Sequence, residues 1–262
     1  MTVLSIAGSD PSGGAGIQAD IKTISALKGY AASVITAVTA QNTLGVQAVY
    51  PLPADIVRAQ IESVMDDLNP DALKIGMVYD TAIAHTLTEC LKKYRPRCVV
   101  YDPVMISTSG RRLMAEDTVR FIKDELFPLC TLLTPNLNEA AYLLGYPVTD
   151  TEAMKQAARE LADRYHTAVL VKGGHLCGDE MCDVLYNRGT FSLFRQKKIE
   201  SRNLHGTGCT LSSALATFCA GGCELEEAVR RAKAYVSRAI DKGKDLHIGH
   251  GNGPLWHFCQ ED

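Results

Sequence analysis

The sequence lacks long hydrophobic runs, and no segment approaches the 18 uninterrupted apolar residues expected of a membrane-spanning helix. Its first residues, MTVLSIAGSD, contain no basic residue and only a short apolar stretch, so no signal peptide is expected. Long basic runs are also absent, and the formal net charge is −3. These absences argue against membranes and nucleic acids as partners and predict a cytoplasmic protein.

Paired cysteine motifs are also missing. The nine cysteines are an odd number, and most lie in apolar segments, which is typical of reduced, buried thiols. The closest clusters are HLCGDEMC, with Cys177 and Cys182, and CAGGC, with Cys219 and Cys223. Neither has the paired short spacings of a structural zinc site. We therefore expect neither disulfides nor structural zinc.

Short β-branched runs alternate with longer helical patterns along the chain. The runs are VLSIAG, SVITAVTA, ALKIGM, CVVYDPV, CTLLTP and AVLVKGG, and the helical patterns cover 14–28, 54–68, 80–94, 115–127, 137–145, 151–165, 208–221 and 224–243. This alternation predicts an α/β fold with a mostly parallel sheet and helices on both faces. CDVLYNRG and TFSLFRQKKIES, joined at Asn187-Arg188-Gly189, predict an antiparallel edge hairpin. No repeat or linker divides the chain, so we expect one domain over 1–262.

A glycine-rich loop, IAGSDPSGGAGIQAD, follows the first predicted strand and precedes a helical pattern. Such a loop suggests a phosphate site, because its amides and the helix N-terminus favour an anion. It lacks the lysine of a P-loop, however, and the dinucleotide pattern of Gly14, Gly16 and Ala19 has no acidic residue between Asp20 and Asp55. A tight turn that lets helix and strand pack closely is the alternative.

A better phosphate site lies in NLHGTGCTLSSALATF, where Gly206, Thr207, Gly208 and Cys209 begin an apolar-periodic helix. Its first amides and the positive end of the helix dipole would converge on an anion. A thiol in the first turn is expected to have a lowered pKa, which makes Cys209 a candidate base or nucleophile. The alternative is a small core residue beside two turn glycines.

Further polar residues follow the predicted strands, where ligands bind in open α/β sheets. Asp102 would point into this crevice as a Mg²⁺ ligand, unless it is only the partner in an Asx turn. Lys172 could neutralise phosphate, although a solvated lysine is the alternative. Asn136 and Glu139 have the spacing of a helix capping box, which explains both without catalysis.

Eight motifs occur in one order from Ile6 to Phe258, and together they resemble the hydroxymethylpyrimidine/phosphomethylpyrimidine kinases of thiamine biosynthesis, a ribokinase-like family. The motifs are GSDPSGGAGIQADIKT, VTAQNTLGV, KIGM, DPVM, TPNLNEA, KGGH, HGTGCTLSSA and GHGNGPLWHF. The resemblance implies a three-layer α/β/α sandwich that forms a homodimer. It also implies Mg²⁺-dependent phosphoryl transfer from ATP to 4-amino-5-hydroxymethyl-2-methylpyrimidine, and then to the resulting monophosphate.

The resemblance further assigns roles to individual residues. Gln41 and Asp20 would hydrogen-bond the pyrimidine, which would be surrounded by Gly8, Val104 and Met77. The phosphates would meet Lys172 and an anion hole made by the amides of Gly206, Thr207, Gly208 and Cys209. The Mg²⁺ ion and its waters would be organised by Asp102, Asn136 and Glu139.

Other activities stay open at this point. Most sugar kinases of the superfamily carry aspartate where Cys209 stands, and the pyrimidine-kinase branch shares the cysteine. Pyridoxal kinases of vitamin B6 salvage share it too, and some add a cysteine in a flexible lid. The corresponding residues 105–113 contain none, which favours the pyrimidine. A catalytically silent ligand-binding protein on the same scaffold is the alternative from another class, and a dinucleotide oxidoreductase lacks its acidic residue.

Overall fold

The computed structural model describes residues 1–105, 114–174 and 180–259. These residues form one sheet in the order β3-β2-β1-β4-β5-β6-β7-β8-β9. Its strands are β1 (Thr2–Ser9), β2 (Tyr30–Asn42), β3 (Gly45–Pro51), β4 (Ala72–Ile75), β5 (Val99–Tyr101), β6 (Leu132–Leu133), β7 (Ala168–Val171), β8 (Glu180–Asn187) and β9 (Thr190–Lys197). All pairs from β2 through β1 to β7 are parallel, which confirms the mostly parallel sheet.

Helices cover both faces of the sheet. They are α1 (Gly16–Ala26), α2 (Ala54–Leu68), α3 (Thr81–Tyr94), α4 (Glu116–Phe121), α5 (Leu137–Leu144), α6 (Thr151–Tyr165), α7 (Thr207–Ala220) and α8 (Leu225–Gly243). Helices α2 to α6 enclose one hydrophobic core, and α1, α7 and α8 enclose the other. The central strands are buried on both sides, as expected where crossover helices cover a parallel sheet. The three-layer sandwich is confirmed.

The predicted hairpin of β8 and β9 lies at one edge of the sheet. Arg188 and Gly189 have φ of 49° and 82°, so both turn residues adopt the left-handed region that two-residue hairpins favour. A second antiparallel pair, β2 with β3, lies at the opposite edge and was not predicted. Strand β3 has no buried residue, so its sequence carries no alternation of inward apolar side chains.

One predicted helix, 115–127, is broken in the structure. Helix α4 ends at Phe121 and continues as a π-helical turn, Ile122–Leu126, and a 3₁₀ turn, Phe127–Leu129. Pro128 in the final turn cannot donate a backbone hydrogen bond, which favours an end to the helix here. No helix in the described ranges is long and apolar enough to cross a membrane.

Candidate active site

A cavity of about 700 Å³ opens beyond the carboxyl ends of the parallel strands. It gathers residues from loops that are far apart in the sequence. The predicted site residues that line it are Gly8, Gln41, Met77, Asp102, Val104, Asn136, Glu139, Lys172, Gly206, Thr207, Gly208 and Cys209. Residues 106–113, within the segment compared above with the lid of some pyridoxal kinases, lie outside the described part of the chain.

Asp20 is the predicted site residue that does not line the cavity. Its side chain is completely buried, and Lys74 Nζ lies 3.0 Å and 2.8 Å from its two carboxylate oxygens. Ser213 donates to Oδ1 at 2.6 Å and Ser5 donates to Oδ2 at 2.5 Å. A carboxylate occupied in this way has no free oxygen for a ring in the cavity. This geometry argues against the predicted contact of Asp20 with the pyrimidine, because packing of α1 directs the side chain into the core.

The opening glycine-rich loop is a tightly packed turn. Gly16 has φ of 58°, and a Cβ there would lie 2.2 Å from the Gly8 carbonyl oxygen, while a Cβ on Gly8 would lie 2.6 Å from Met77 Cε. Asp10 organises the loop by accepting hydrogen bonds from the Ser12 amide and hydroxyl and from the Ala15 amide. Gly16 therefore permits close approach of helix and strand backbone, as the packing alternative predicted, whereas the atom nearest a Cβ on Gly8 is the movable end of Met77.

Three polar side chains in the cavity wall lie next to one another. Gln41 Nε2 lies 3.2 Å from His205 Nε2, which lies 2.8 Å from Asp10 Oδ2. Although burial alone would raise the pKa of Asp10, the hydrogen bonds from His205, Ser12 and Ala15 lower it to about 2. The Thr39 hydroxyl lies 2.9 Å from the Ser9 carbonyl oxygen and 3.2 Å from Gln41 Oε1. Because the ionised Asp10 carboxylate only accepts, His205 Nε2 donates to it and has no lone pair for the Gln41 amide nitrogen. Asp10 and His205 lie within the recognised motifs, but their side-chain contact could not be read from the sequence.

The start of α7 is where the sequence predicts an anion site. Gly206 has φ of 84°, and a Cβ there would lie 1.8 Å from the Gly14 carbonyl oxygen, so glycine is required. The Thr207 amide donates to the Leu204 carbonyl, and among the described residues no side chain caps the helix. The next first-turn amides, of Gly208 and Cys209, thus keep the donor character that attracts anions to helix N-termini.

The pKa of the Cys209 thiol differs from the predicted one. Burial raises its pKa to about 11, even though the nearby Lys74 cation and a hydrogen bond from the Gly16 amide favour the thiolate. The carboxylates of Asp20 and Asp102 add to the upward shift. The expected lowering of the pKa is therefore wrong, since desolvation and two nearby carboxylates outweigh the favourable position in the first helical turn.

Lys172 and Asp102 form an ion pair at the centre of the cavity. Lys172 Nζ lies 2.6 Å from Asp102 Oδ1, which also accepts a hydrogen bond from Thr134 at 3.0 Å. The lysine side chain is only 15% exposed, so it is not the solvated lysine of the alternative interpretation. Burial opposes its charge, but Asp102 and Glu139 keep its pKa above the usual value. Asp102 uses its side chain in this pair and not in an Asx turn.

Glu139 and Asn136 form the predicted capping box at the start of α5. The Asn136 amide donates to Glu139 Oε2 at 2.8 Å, and the Glu139 amide donates to Asn136 Oδ1 at 2.9 Å. Burial raises the pKa of Glu139 to about 7, with a further contribution from Asp102. Asp102 and Glu139 thus lie near one lysine, and a cation bound there would favour the ionised form of Glu139.

No group of three or more His, Cys, Asp or Glu side chains in the described residues could hold a metal ion alone. Asp102 and Glu139 nevertheless fit Mg²⁺, which in phosphoryl-transfer sites is held by one or two carboxylates, water and the substrate phosphates. The cavity is also lined by further apolar and polar side chains. The apolar ones include Met181, Ile199, Leu211, Val236 and Ile240, and the polar ones include Asp183, Gln196, Lys233, Ser237 and the exposed Lys198 and Arg202.

Comparison with known proteins gives concordant matches. A family model described as phosphomethylpyrimidine kinase matches residues 10–256. A hydroxymethylpyrimidine/phosphomethylpyrimidine kinase of Rhizobium meliloti is 50% identical over 97% of this chain and 96% of its own length. The crystal structure of a phosphomethylpyrimidine kinase from Clostridium difficile has a TM-score of 0.82 and 44% identity, covering 92% of this chain and 99% of that one. The structure of a Staphylococcus aureus pyridoxal kinase in complex with ADP has a TM-score of 0.91 and 34% identity, and the match covers 98% of this chain and 93% of that one.

Proposed function

Because the chain belongs to the phosphomethylpyrimidine kinase family, we propose that it phosphorylates 4-amino-5-hydroxymethyl-2-methylpyrimidine with ATP and then phosphorylates the monophosphate, for thiamine diphosphate synthesis. The observation that carries the proposal is a single cavity that brings together Gln41 and Met77, the α7 start at Cys209, and Lys172.

The pocket at Gln41 is suited to a flat, polar-edged ring. Gln41 lies beside Thr39 and His205 in the cavity wall, and its side-chain amide can offer both a donor and an acceptor to a bound ring. Gly8 leaves room for a ring to approach the backbone, while Met77 and Val104 supply apolar contact. We assign this pocket to the pyrimidine.

The start of α7 and Lys172 are placed to act on phosphates. Amides at a helix N-terminus and a buried lysine stabilise charge on the phosphoryl oxygens, which is the main requirement of a loose transition state. As the bond from the acceptor oxygen to phosphorus forms, the bond to the leaving ADP oxygen breaks and the alcohol proton must leave. We assign that proton to the thiolate of Cys209, which burial makes a minor species at neutral pH.

The remaining ligands are assigned by charge and polarity. Asp102 and Glu139 would hold Mg²⁺ through water, and the ion would neutralise charge on the transferring phosphates. The apolar side chains of Ile199, Val236 and Ile240, which line the same cavity, would contact the adenosine of ATP.

Assembly and location remain proposals. Exposed apolar side chains on β2, β3 and their connection, namely Val38, Leu44 and Tyr50, support a homodimer through this edge. Light scattering after size exclusion would report its mass. The eight described cysteines are free thiols, which is consistent with the proposed reducing cytoplasm. We also propose that residues 1–262 form one domain.

The experiment that tests the function is an ADP-release assay with the pyrimidine alcohol, its monophosphate and pyridoxal offered separately. We expect a higher kcat/KM for the pyrimidine than for pyridoxal. Cys209→Ala should lower kcat about 10²- to 10⁴-fold, as expected for a positioned proton acceptor. A preference for pyridoxal would favour the B6 kinase, which the similarity to pyridoxal kinases keeps as the rival. No turnover with any alcohol would indicate a catalytically silent binding protein.

A further inference from the structure

A second buried ion pair lies in the cavity wall, outside the groups assigned to catalysis. Asp183 on β8 and Lys233 on α8 are 6% and 5% exposed, and Lys233 Nζ donates to Asp183 Oδ2. Replacing a buried ion pair by apolar side chains of similar size often leaves a protein equally stable. The presence of two buried charges here therefore suggests that one of them binds a further group. The structure provides that group, because the Gly173 amide donates to Asp183 Oδ1 at 2.8 Å.

Gly173 directly follows Lys172, the lysine placed at the phosphates. The regular pairing of β7 with β8 ends at Val171, opposite Val184, so the strand ladder no longer fixes the next residues. The Lys172 amide instead donates to the Pro135 carbonyl at 2.9 Å, and the Gly173 amide donates to Asp183. The backbone that carries Lys172 is therefore held from two sides.

The packing around Gly173 leaves little freedom for this segment. A Cβ on Gly173 would lie 1.9 Å from the Cys182 carbonyl oxygen, so the backbone rests directly against β8. At the other end, Lys172 Nζ contacts Asp102 at 2.6 Å. Any displacement of the backbone at Gly173 would be passed to the ammonium group through a side chain anchored at both ends.

We infer that Asp183, with its charge balanced by Lys233, is a positioning residue that fixes the Lys172 ammonium for phosphate binding and phosphoryl transfer. This inference rests on the proposed function for its substrate. It differs from a purely structural role, because its effect on activity must pass through Lys172. Lys233 compensates the carboxylate and ties α8 to the segment.

The test is a double-mutant cycle between Asp183→Ala and Lys172→Met, measured as kcat in the ADP-release assay and as ADP affinity by calorimetry. Asp183→Ala should lower kcat about 10- to 100-fold, the range expected for a displacement of about 1 Å, and should weaken ADP binding. The KM for the pyrimidine should stay within about twofold. In the Lys172→Met protein the same change should cost less than about twofold, because the residue through which it acts is gone.

Two further variants keep the test decisive if Asp183→Ala unfolds. The double variant Asp183→Asn with Lys233→Met keeps an oxygen for Gly173 and removes both charges, so it should retain kcat within about threefold. Glu180→Ala, on the same strand in an exposed pair with Arg195, is the control and should change neither readout.

The inference would be overturned if Asp183→Ala lowered kcat equally in the wild-type and the Lys172→Met proteins. It would also be overturned if Asp183→Ala kept the wild-type kcat. Wild-type kcat in Lys172→Met would also overturn it, while the kinase function would stand. If the wild-type protein turned over no alcohol, the proposed function would fail, and the ADP-binding cycle would still decide the positioning role. A wild-type protein that neither turned over an alcohol nor bound ADP would overturn both.

Discussion

Lys74 Nζ lies 2.8 Å from Asp20 Oδ2 in an ion pair with no exposed surface. The carboxylate also accepts hydrogen bonds from Ser5 on β1 and Ser213 on α7. Ser213 is four residues after Cys209, which places it on the same side of α7. The pair thus joins α1, β1, β4 and α7 directly beneath the candidate catalytic cysteine.

Asp20 should therefore contribute to stability and not to recognition of the pyrimidine. Asp20→Ala leaves the Lys74 charge buried without a partner, and we expect a loss of about 3–5 kcal/mol in the free energy of unfolding. The double variant Asp20→Asn with Lys74→Met should recover most of this loss, because neither charge remains. Urea denaturation measures both. A large rise in KM for the pyrimidine with unchanged stability would return Asp20 to the binding site.

Cys209 should behave as a high-pKa thiol. Because burial raises its pKa to about 11, its alkylation by iodoacetamide should rise about tenfold per pH unit from roughly pH 7 to 10. Mass spectrometry of the alkylated peptide, with Cys209→Ala as the blank, follows this site alone. An alkylation pKa below about 8.5, the ordinary cysteine value, would contradict the effect of burial.

Ionisation of Cys209 should also determine the pH dependence of turnover. If the Cys209 thiolate accepts the alcohol proton, kcat should increase with pH over roughly pH 7 to 9 where the chemical step is rate-limiting. A flat profile under those conditions would exclude the thiolate as the base.

Gln41→Ala should weaken pyrimidine binding and spare ATP. Loss of a polar group that pairs with the ring leaves a buried partner unsatisfied, which costs about 1–3 kcal/mol and raises the KM for the pyrimidine about 5- to 150-fold. The KM for ATP should be unchanged, because Gln41 lies in the acceptor pocket. Gln47→Ala, an exposed glutamine on the neighbouring strand β3, is the matched control. Equal effects of the two variants would remove Gln41 from recognition.

His257 should make the fold sensitive to acid. Burial, with a contribution from Lys22, lowers its pKa to about 4, and its Nε2 lies 3.1 Å from the Thr210 hydroxyl. Between pH 6.5 and pH 4 the unfolded chain binds a proton at His257 that the folded chain does not bind. The contribution of neutral His257 to stability is therefore complete above about pH 6.5 and is lost as the pH falls towards 4.

The loss in the free energy of unfolding due to His257 should be about 3 kcal/mol, because folding lowers its pKa from 6.5 to about 4. Urea denaturation at pH 7 and pH 4.5 should show a smaller pH dependence in His257→Gln than in the wild type. His247→Gln, at an exposed histidine before the same C-terminal segment, should retain the wild-type dependence. Identical pH dependence in His257→Gln and wild type would show that His257 is not the group responsible.

Local patterns carried much of the fold. The helix over 54–68 and the capping box of Asn136 and Glu139 follow the sequence prediction. Strand β3 did not, because its exposed residues carry no pattern of burial. Among candidate site residues, those near the carboxyl ends of strands, in the first turn of α5 or at the α7 start line the cavity. Asp20 does not, because it lies beyond the first turn of α1, where packing decides the direction of a side chain.

The sequence by itself determined the layered sheet and the end of it at which a site would form. Parallel strands need crossover helices, and polar residues after successive strands must meet at one edge. Only the tertiary structure decided the pairing of charges, because partners lie 54 residues apart for Lys74 and Asp20, 50 for Lys233 and Asp183, and 195 for His205 and Asp10. It also decided the protonation of Cys209, since desolvation depends on every element packed around the thiol.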